Sequence, residues 1–323
     1  MTKSDLQDAA RVLKEKASFL IAGHVNPDGD SLGCMCALRL ALESLGKKVL
    51  LVSPDGVPDL YKFLPKSCDI VKEALSGRSF DVGIILDCEG ADRLGSAAEA
   101  ISLCSTLLEI DHHPGGVRDS AIQLVDSQTA SCGEIVLELL EEAGVKITSD
   151  IAECLLTAIV TDTGSFRFSN VKPSTLRAAA RLLECGTSVS RIAQKVYETR
   201  SLASVRLLGS ALSTLQVTPG GRIAYAYITR EQLASSEAGD NEGEGIVNYV
   251  RSVEGAQVGI LFRETPDGNT RVSLRSRDGL DISQVARMFG GGGHKSAAGC
   301  TVDRPLSESI DFVVDAVRKW MGY

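Results

Sequence analysis

The feature that most constrains this chain is the alternation of short apolar runs with longer helical patterns through its first half. "SFLIAGH" (18–24), "KKVLLVSP" (47–54), "DVGIILDC" (81–88), "TLLEIDHH" (106–113) and "IQLVDS" (122–127) are strand-sized. Helical periodicity fills 31–46, 131–144, about 150–162 and 173–185, and Gly46 and Gly186 stand where helices should stop. Strands that alternate with helices need crossover connections. The expected fold is therefore α/β, its N-terminal domain a mostly parallel sheet flanked by helices.

From about residue 189 the pattern changes. "VSRIAQKVYETRSLASVRLLGSALS" reads as one long helix joining two domains. Beyond it, "LQVTPGGRIAYAYIT" and "QVGILFRETPDGNTRVSLRSR" read as hairpins turning at Pro-Gly-Gly and Pro-Asp-Gly-Asn, and "LSESIDFVVDAVRKW" as a last helix. A chain of 323 residues is comfortable for two domains. The expected division is a domain over 1–190, a linker helix over 191–213, and a smaller α/β domain with a mixed sheet over 214–323.

A formal net charge of −8 argues against a grip on long duplex nucleic acid, which needs a basic surface. It leaves room for a small anion held by a metal and a few arginines. No apolar run approaches the ~18 residues of a membrane span, and the N-terminus reads as an amphipathic helix without a secretory pattern. The nine cysteines are an odd number scattered through apolar stretches, as in a cytoplasmic protein with reduced thiols.

Chemistry-bearing residues gather where the strands end. The first runs into "GHVNPDGDSLG", with His24, Asp28 and Asp30; the third ends in Asp87; the fourth ends in Asp111, His112 and His113. "AIVTDTGSF" sets Asp162 near the end of a helix. Parallel sheets collect ligands at the carboxyl ends of their strands. Imidazole and carboxylate donors suit a first-row divalent ion, manganese above all, and a carboxylate shared by two ions can clamp a displacement at phosphorus. Adjacent histidines in a strand point to opposite faces, so His112 and His113 should do different work.

"HVNPDGDSLG", "LDCEGADRLG", "IDHHPGG" and "AIVTDTGSFRFSN" resemble the four motifs of the DHH phosphoesterase superfamily, and the likeness covers nearly the whole chain. The resemblance implies a catalytic domain with two Mn²⁺, Co²⁺ or Mg²⁺ being the alternatives. His24, Asp28 and Asp87 would hold one ion; Asp30, Asp87, His112 and Asp162 would hold the other, with Asp87 bridging. His113, facing away from the metal, would meet the substrate phosphate, and Asp111 would orient the pair. Arg93 reads as structural or as phosphate-facing, and the structural role is the expectation.

The fourth histidine lies in "MFGGGGHKSAAGC" (288–300), where four glycines are hard to fit into a strand or helix and their amides could cradle an anion. Upstream, period two puts Arg271, Ser273, Arg275 and Arg277 on one face, the pattern of a phosphate or base clamp. This region resembles the type-one DHH-associated domain. The resemblance implies nucleotide recognition by Arg275, Arg277, Gly292, Gly293 and His294.

Among stand-alone two-domain members, the likeness is to the nanoRNase and pAp phosphatase group. It implies an enzyme that hydrolyses short single-stranded RNA to mononucleotides and 3′-phosphoadenosine 5′-phosphate to AMP, by hydroxide attack at two metals, often as a homodimer. The alternatives are a stand-alone cyclic dinucleotide or linear dinucleotide phosphodiesterase and, in another class, a non-catalytic nucleotide sensor.

Overall fold

The computed structural model describes residues 2–74, 79–88, 90–113, 122–243, 245–277 and 279–322; the side chains of Ala91, Asp92, Asn241 and His294 are outside the description. Pro114, Gly115 and Gly116 of the "IDHHPGG" motif and Glu89 of "LDCEGADRLG" also lie outside the described residues. The chain divides into two compact units, Met1–Thr199 and Arg200–Tyr323.

The first unit contains α1 (Lys3–Glu15), β1 (Ser18–Ala22), α2 (Gly29–Ser44), β2 (Lys48–Val52), β3 (Ile70–Val71), β4 (Val82–Leu86), α3 (Ala97–Ser102), β5 (Thr106–Asp111) and β6 (Ile122–Val125). It continues with α4 (Cys132–Glu142), α5 (Ser149–Asp162), α6 (Pro173–Glu184) and α7 (Val189–Ala193). Its six strands are all parallel, in the order β3-β2-β1-β4-β5-β6. The chain leaves β1 toward one edge and returns at β4 to build the other, so a topological switch point lies between β1 and β4. Strands buried on both faces cannot alternate polar and apolar residues, which is why "VGIIL" is apolar throughout. One face packs Phe19, Ile21, Ile84 and Ile110 against α2, α4 and α5; the other packs Leu20, Ala22 and Ile85 against Ala97 and Ile101 of α3.

α2 lies unusually close to its neighbour. A Cβ on Gly33 would stand 2.5 Å from the Cys154 carbonyl of α5, and one on Gly29 would stand 2.5 Å from Thr161 Cγ2. Only glycine lets these backbones approach, and the approach draws the start of α2 to the end of α5.

The second unit comprises α8 (Leu202–Leu212), β7 (Gln216–Val217), β8 (Ile223–Ile228), α9 (Arg230–Ser235), α10 (Ile246–Arg251), β9 (Val258–Glu264) and β10 (Thr270–Ser276). α11 (Ser283–Met288), β11 (Gly292–His294), β12 (Ala297–Val302) and α12 (Leu306–Trp320) complete it. Its sheet runs β11-β12-β10-β9-β8-β7 and is mixed, β8 and β9 being parallel and the other neighbours antiparallel. Both expected hairpins are present.

Two expectations are corrected. The segment 189–213 is not one helix: α7 passes into a π-helical turn over Gln194–Glu198, Thr199 is extended, and α8 starts afresh. Ser201 supplies the reason, because its side chain accepts the Ser204 N–H and caps a new helix instead of continuing the old one. The glycine run does form a strand. Gly292, Gly293 and His294 pair with Gly299, Ala298 and Ala297 as β11, and Gly293 holds φ +134° with no room for a Cβ, which would sit 2.6 Å from the Ala297 carbonyl.

Candidate metal centre and active site

The site assembles at the carboxyl ends of β1, β4 and β5. β1 ends two residues before His24, and the following turn makes Asp28 the N-cap of α2, where its Oδ1 accepts the N–H groups of Asp30 (3.0 Å) and Ser31 (3.1 Å). The same turn begins the helix that carries Asp30 inward, fully buried. Asp30 in turn accepts the first free N–H groups of α4, from Cys132 (2.7 Å) and Gly133 (3.0 Å), which lack a partner within their own helix. Asp87 follows β4 directly and is held at φ +52°, a left-handed conformation uncommon for aspartate. Asp162 ends α5, where Asn170 Nδ2 donates to its carbonyl at 3.0 Å.

These side chains converge in two groups that share Asp87. His24 Nε2 lies 3.4 Å from Asp87 Oδ2 and 3.8 Å from Asp28 Oδ1. His112 Nε2 lies 3.2 Å from Asp162 Oδ2, 3.6 Å from Asp87 Oδ1 and 3.9 Å from Asp30 Oδ2. Donor atoms within 4.8 Å of one another join His24, Asp28 and Asp87, and likewise Asp30, His112 and Asp162. Asp87 Oδ1 is buried and makes no hydrogen bond. Buried carboxylates crowded without enough cations or donors are costly, and divalent ions are what such a donor set fits.

The electrostatics carry the same strain. Burial, followed by the charges of Asp87 and Asp28, pushes Asp30 well above the usual carboxylate range. Burial, followed by Asp30, Asp28 and Asp87, does the same to Asp162. Burial disfavours a charged His24, yet the Asp28 and Asp87 carboxylates outweigh it and push the ring up to about 10. Enclosure alone would raise Asp28, but His24 and the two backbone N–H groups bring it down to about 2. His112 is lowered by burial above all, which favours the neutral imidazole a metal ligand needs.

The paired histidines differ from expectation. β5 stops at Asp111, so the strand alternation ends before His112, and the two rings lie with centroids 4.3 Å apart. His113 does not turn away from the centre: its Nδ1 is 3.4 Å from Asp87 Oδ1 and 2.8 Å from Asp111 Oδ1, which also accepts the His113 N–H at 2.9 Å. Asp111, held below its usual range by His113 against the cost of burial, thus fixes that ring from two sides.

Two contacts were missed by sequence reasoning, and a third gives Arg93, singled out there with a structural role expected, its partner. The N-terminus of α4 anchors Asp30, and the Cys132 thiol lies within the buried group formed with Asp30 and Asp87. Arg93 Nη2 stands 2.8 Å from His24 Nδ1, which is itself 2.7 Å from the Val25 carbonyl. The sequence carries no signal for the first: Ser131 with Glu134 three residues on reads as a self-capped helix start, yet Ser131 makes no side-chain capping bond.

In the second unit, Arg271, Ser273 and Arg275 do share one face of β10, opposite buried Val272 and Leu274. Arg275 Nη1 donates to the Leu274 carbonyl at 3.0 Å, and the Arg277 N–H donates to the Gln257 carbonyl at 2.9 Å. Gly292 and Gly293 lie in the edge strand beside β12, and the His294 side chain is outside the description.

Comparison with known proteins gives the lineage. Residues 18–159 match the DHH family N-terminal domain, and residues 220–322 match the DHHA1 domain. A bifunctional oligoribonuclease and PAP phosphatase NrnA of Thermus thermophilus is 34% identical over 316 residues, covering 96% of this chain and 92% of that one. A protein of the same description from Bacillus subtilis is 28% identical, covering 88% and 89%. An exopolyphosphatase-related protein from Bacteroides fragilis has the same fold, with a TM-score of 0.92 at 27% identity over 99% of this chain and 98% of that one. With a DHH motif set at the strand ends and a DHHA1 domain behind it, the chain belongs to the DHH phosphoesterase family and is an enzyme of that family.

Proposed function

We propose that the chain is a manganese-dependent phosphoesterase that hydrolyses short oligoribonucleotides to mononucleotides and 3′-phosphoadenosine 5′-phosphate to AMP. The observation that carries this reading is the convergence of His24, Asp28, Asp30, Asp87, His112 and Asp162 into two donor groups that meet at Asp87, between His24 at 3.4 Å and His112 at 3.6 Å, with its Oδ1 free of hydrogen bonds. The choice of substrate is supported by relatives whose names carry both activities.

His24, Asp28 and Asp87 would hold one ion, and Asp30, Asp87, His112 and Asp162 the other; mixed imidazole and carboxylate donors favour manganese over softer ions. Two ions held there would supply an acidified water as nucleophile and charge compensation at phosphorus. Asp87 keeps the two groups together from its left-handed turn. Asp111 fixes the Nδ1 side of His113, with Nε2 assigned to a phosphoryl oxygen of the substrate. Arg275, Arg277, Gly292, Gly293 and His294 are assigned to the nucleotide, since guanidinium groups pair with phosphate in a two-pronged fashion. The nine free thiols fit a reducing, cytoplasmic setting.

The test is turnover with Mn²⁺ on a matched panel: pApA, pAp, cyclic di-AMP, pyrophosphate and a long single-stranded RNA, beside Asp87→Ala. The reading requires the highest kcat/KM on pApA or pAp and its loss in the variant. Cyclic di-AMP opened equally well would make the chain a cyclic dinucleotide phosphodiesterase instead.

A further inference from the structure

We infer that Arg271 and Arg263 form a second phosphate subsite on the mixed sheet of the second unit, one that engages an oligonucleotide and not a single nucleotide. The inference rests on the proposed function for the identity of its ligand, the phosphodiester of a short single-stranded RNA.

Three observations converge. In the β9–β10 ladder Arg271 stands directly opposite Arg263, and on its other side it faces Thr301 of β12. Like charges directly opposite one another destabilise a sheet, and a fold gains from them only where something negative joins them. Burial, and after it the neighbouring Arg271, weigh against the charge on Arg263.

Second, the pair borders a groove of about 350 Å³. Three carboxylates line that groove with the two arginines: Asp240 pairs with Arg230 Nη1 at 3.0 Å, while Glu264 and Asp267 keep their charge and accept neutral N–H groups, from Arg230 at 2.8 Å and Asn269 Nδ2 at 2.9 Å. Arg263 Nη1 donates to a neutral acceptor, the Asp240 carbonyl. Among the described residues neither Arg263 nor Arg271 forms an ion pair.

Third, the pair lies on the face that carries the candidate nucleotide clamp. Leu261 and the alanines of β8 are covered on that face by Leu207, Leu233 and Val247, whereas Arg271 and Thr301 are exposed. Arg271 is four strand residues from Arg275, about 14 Å along the sheet. The two phosphates of one nucleotide, like successive phosphates of RNA, are separated by a single ribose and fall short of that distance; phosphates two linkages apart, present only in a trinucleotide or longer chain, span it.

The test compares wild type, Arg271→Thr and Arg271→Lys in kcat/KM on pAp and on a tetranucleotide, with binding of the same RNA and of inorganic phosphate followed over a salt series. Threonine suits an exposed strand position, so the sheet should be kept. The inference expects Arg271→Thr to lose at least fivefold more on the tetranucleotide than on pAp, and lysine to restore part of it. The slope of log affinity against log salt for the tetranucleotide should flatten by about 0.7, the value for one single-strand phosphate contact. Equal losses on both substrates, or an unchanged salt slope, would overturn it. If wild type turns over neither substrate, the proposed function fails, and the salt series on binding still decides the subsite. Tight binding of inorganic phosphate with no preference for the tetranucleotide would also sink it.

Discussion

At the scale of single residues, the site works by giving each carboxylate a different set of neighbours. Asp28 has helix N–H groups and His24, and Asp30 has the α4 N-terminus, whereas Asp87 Oδ1 makes no hydrogen bond at all. Asp111 touches His113 and lies behind it, so Asp111→Asn should cut kcat by about 10–100-fold while leaving manganese affinity by calorimetry within a few-fold of wild type. A collapse of manganese affinity in that variant would instead make Asp111 a ligand. The shifts also fix a pH dependence. Asp30 and Asp162 are raised, and His24 is raised to about 10. For raised groups the stability they contribute is complete below their unfolded values and is lost as pH rises through the folded ones, so the contribution of Asp30, Asp162 and His24 to the metal-free chain falls as pH rises, while the lowered His112 acts in the opposite sense near neutral pH. Bound ions need these same groups deprotonated. The rise in melting temperature on adding Mn²⁺ should therefore grow from pH 6 to pH 8, with protons released on binding; a gain that shrinks over that range would contradict the assignment.

At the scale of elements, the spacing of the donor groups is set by how closely α2 meets α5. Gly33 and Gly29 bring Asp30 toward Asp162, and nothing in the ligands themselves enforces that distance. Gly33→Ala should cost roughly 1–3 kcal/mol in denaturant unfolding, because a methyl must displace the Cys154 carbonyl, and should weaken manganese binding with it. Unchanged metal affinity in a destabilised variant would show that the ligands hold their own positions. This packing illustrates what was legible in the sequence. The strand ends and the parallel sheet follow from local patterns, since apolar period and turn residues are written along the chain; which six residues are the candidate donors comes from the motif resemblance. Contacts between elements are not: the α4 N–H groups on Asp30 join residues a hundred positions apart. The reading of 189–213 as one helix failed because Ser201 competes for the backbone within a helical period. The opposite-face argument for His112 and His113 failed because β5 ends at Asp111, two residues short of the strand the motif invites. The glycine run misled in the other sense: Gly292 and Gly293 enter an edge strand, and close backbone approach needs glycine at Gly291 and Gly293.

At the scale of the molecule, the functional residues divide by unit: every candidate metal ligand, with His113 for the reacting phosphoryl group, lies before Thr199, and the remaining candidate nucleotide contacts lie after Arg200. Each unit has its own buried core, the first around α2 and α5, the second around Phe262, Val272 and Leu274. The net charge of −8 adds repulsion that cations at the candidate metal centre would partly relieve. Binding stabilises the folded elements it touches, and amide exchange reports that element by element. Manganese alone should slow exchange in β1, α2, β4, β5 and α5, with little change in β9, β10 and β12. A non-hydrolysed tetranucleotide analogue added afterwards should slow exchange in β10, β11 and β12, and Arg271→Thr should reduce that second effect without touching the first. The decisive comparison is the order of addition. If manganese by itself protects β10 and β12 as strongly as the analogue does, the division of labour between the units is wrong, and the arginine face of β10 belongs to the metal centre's own response.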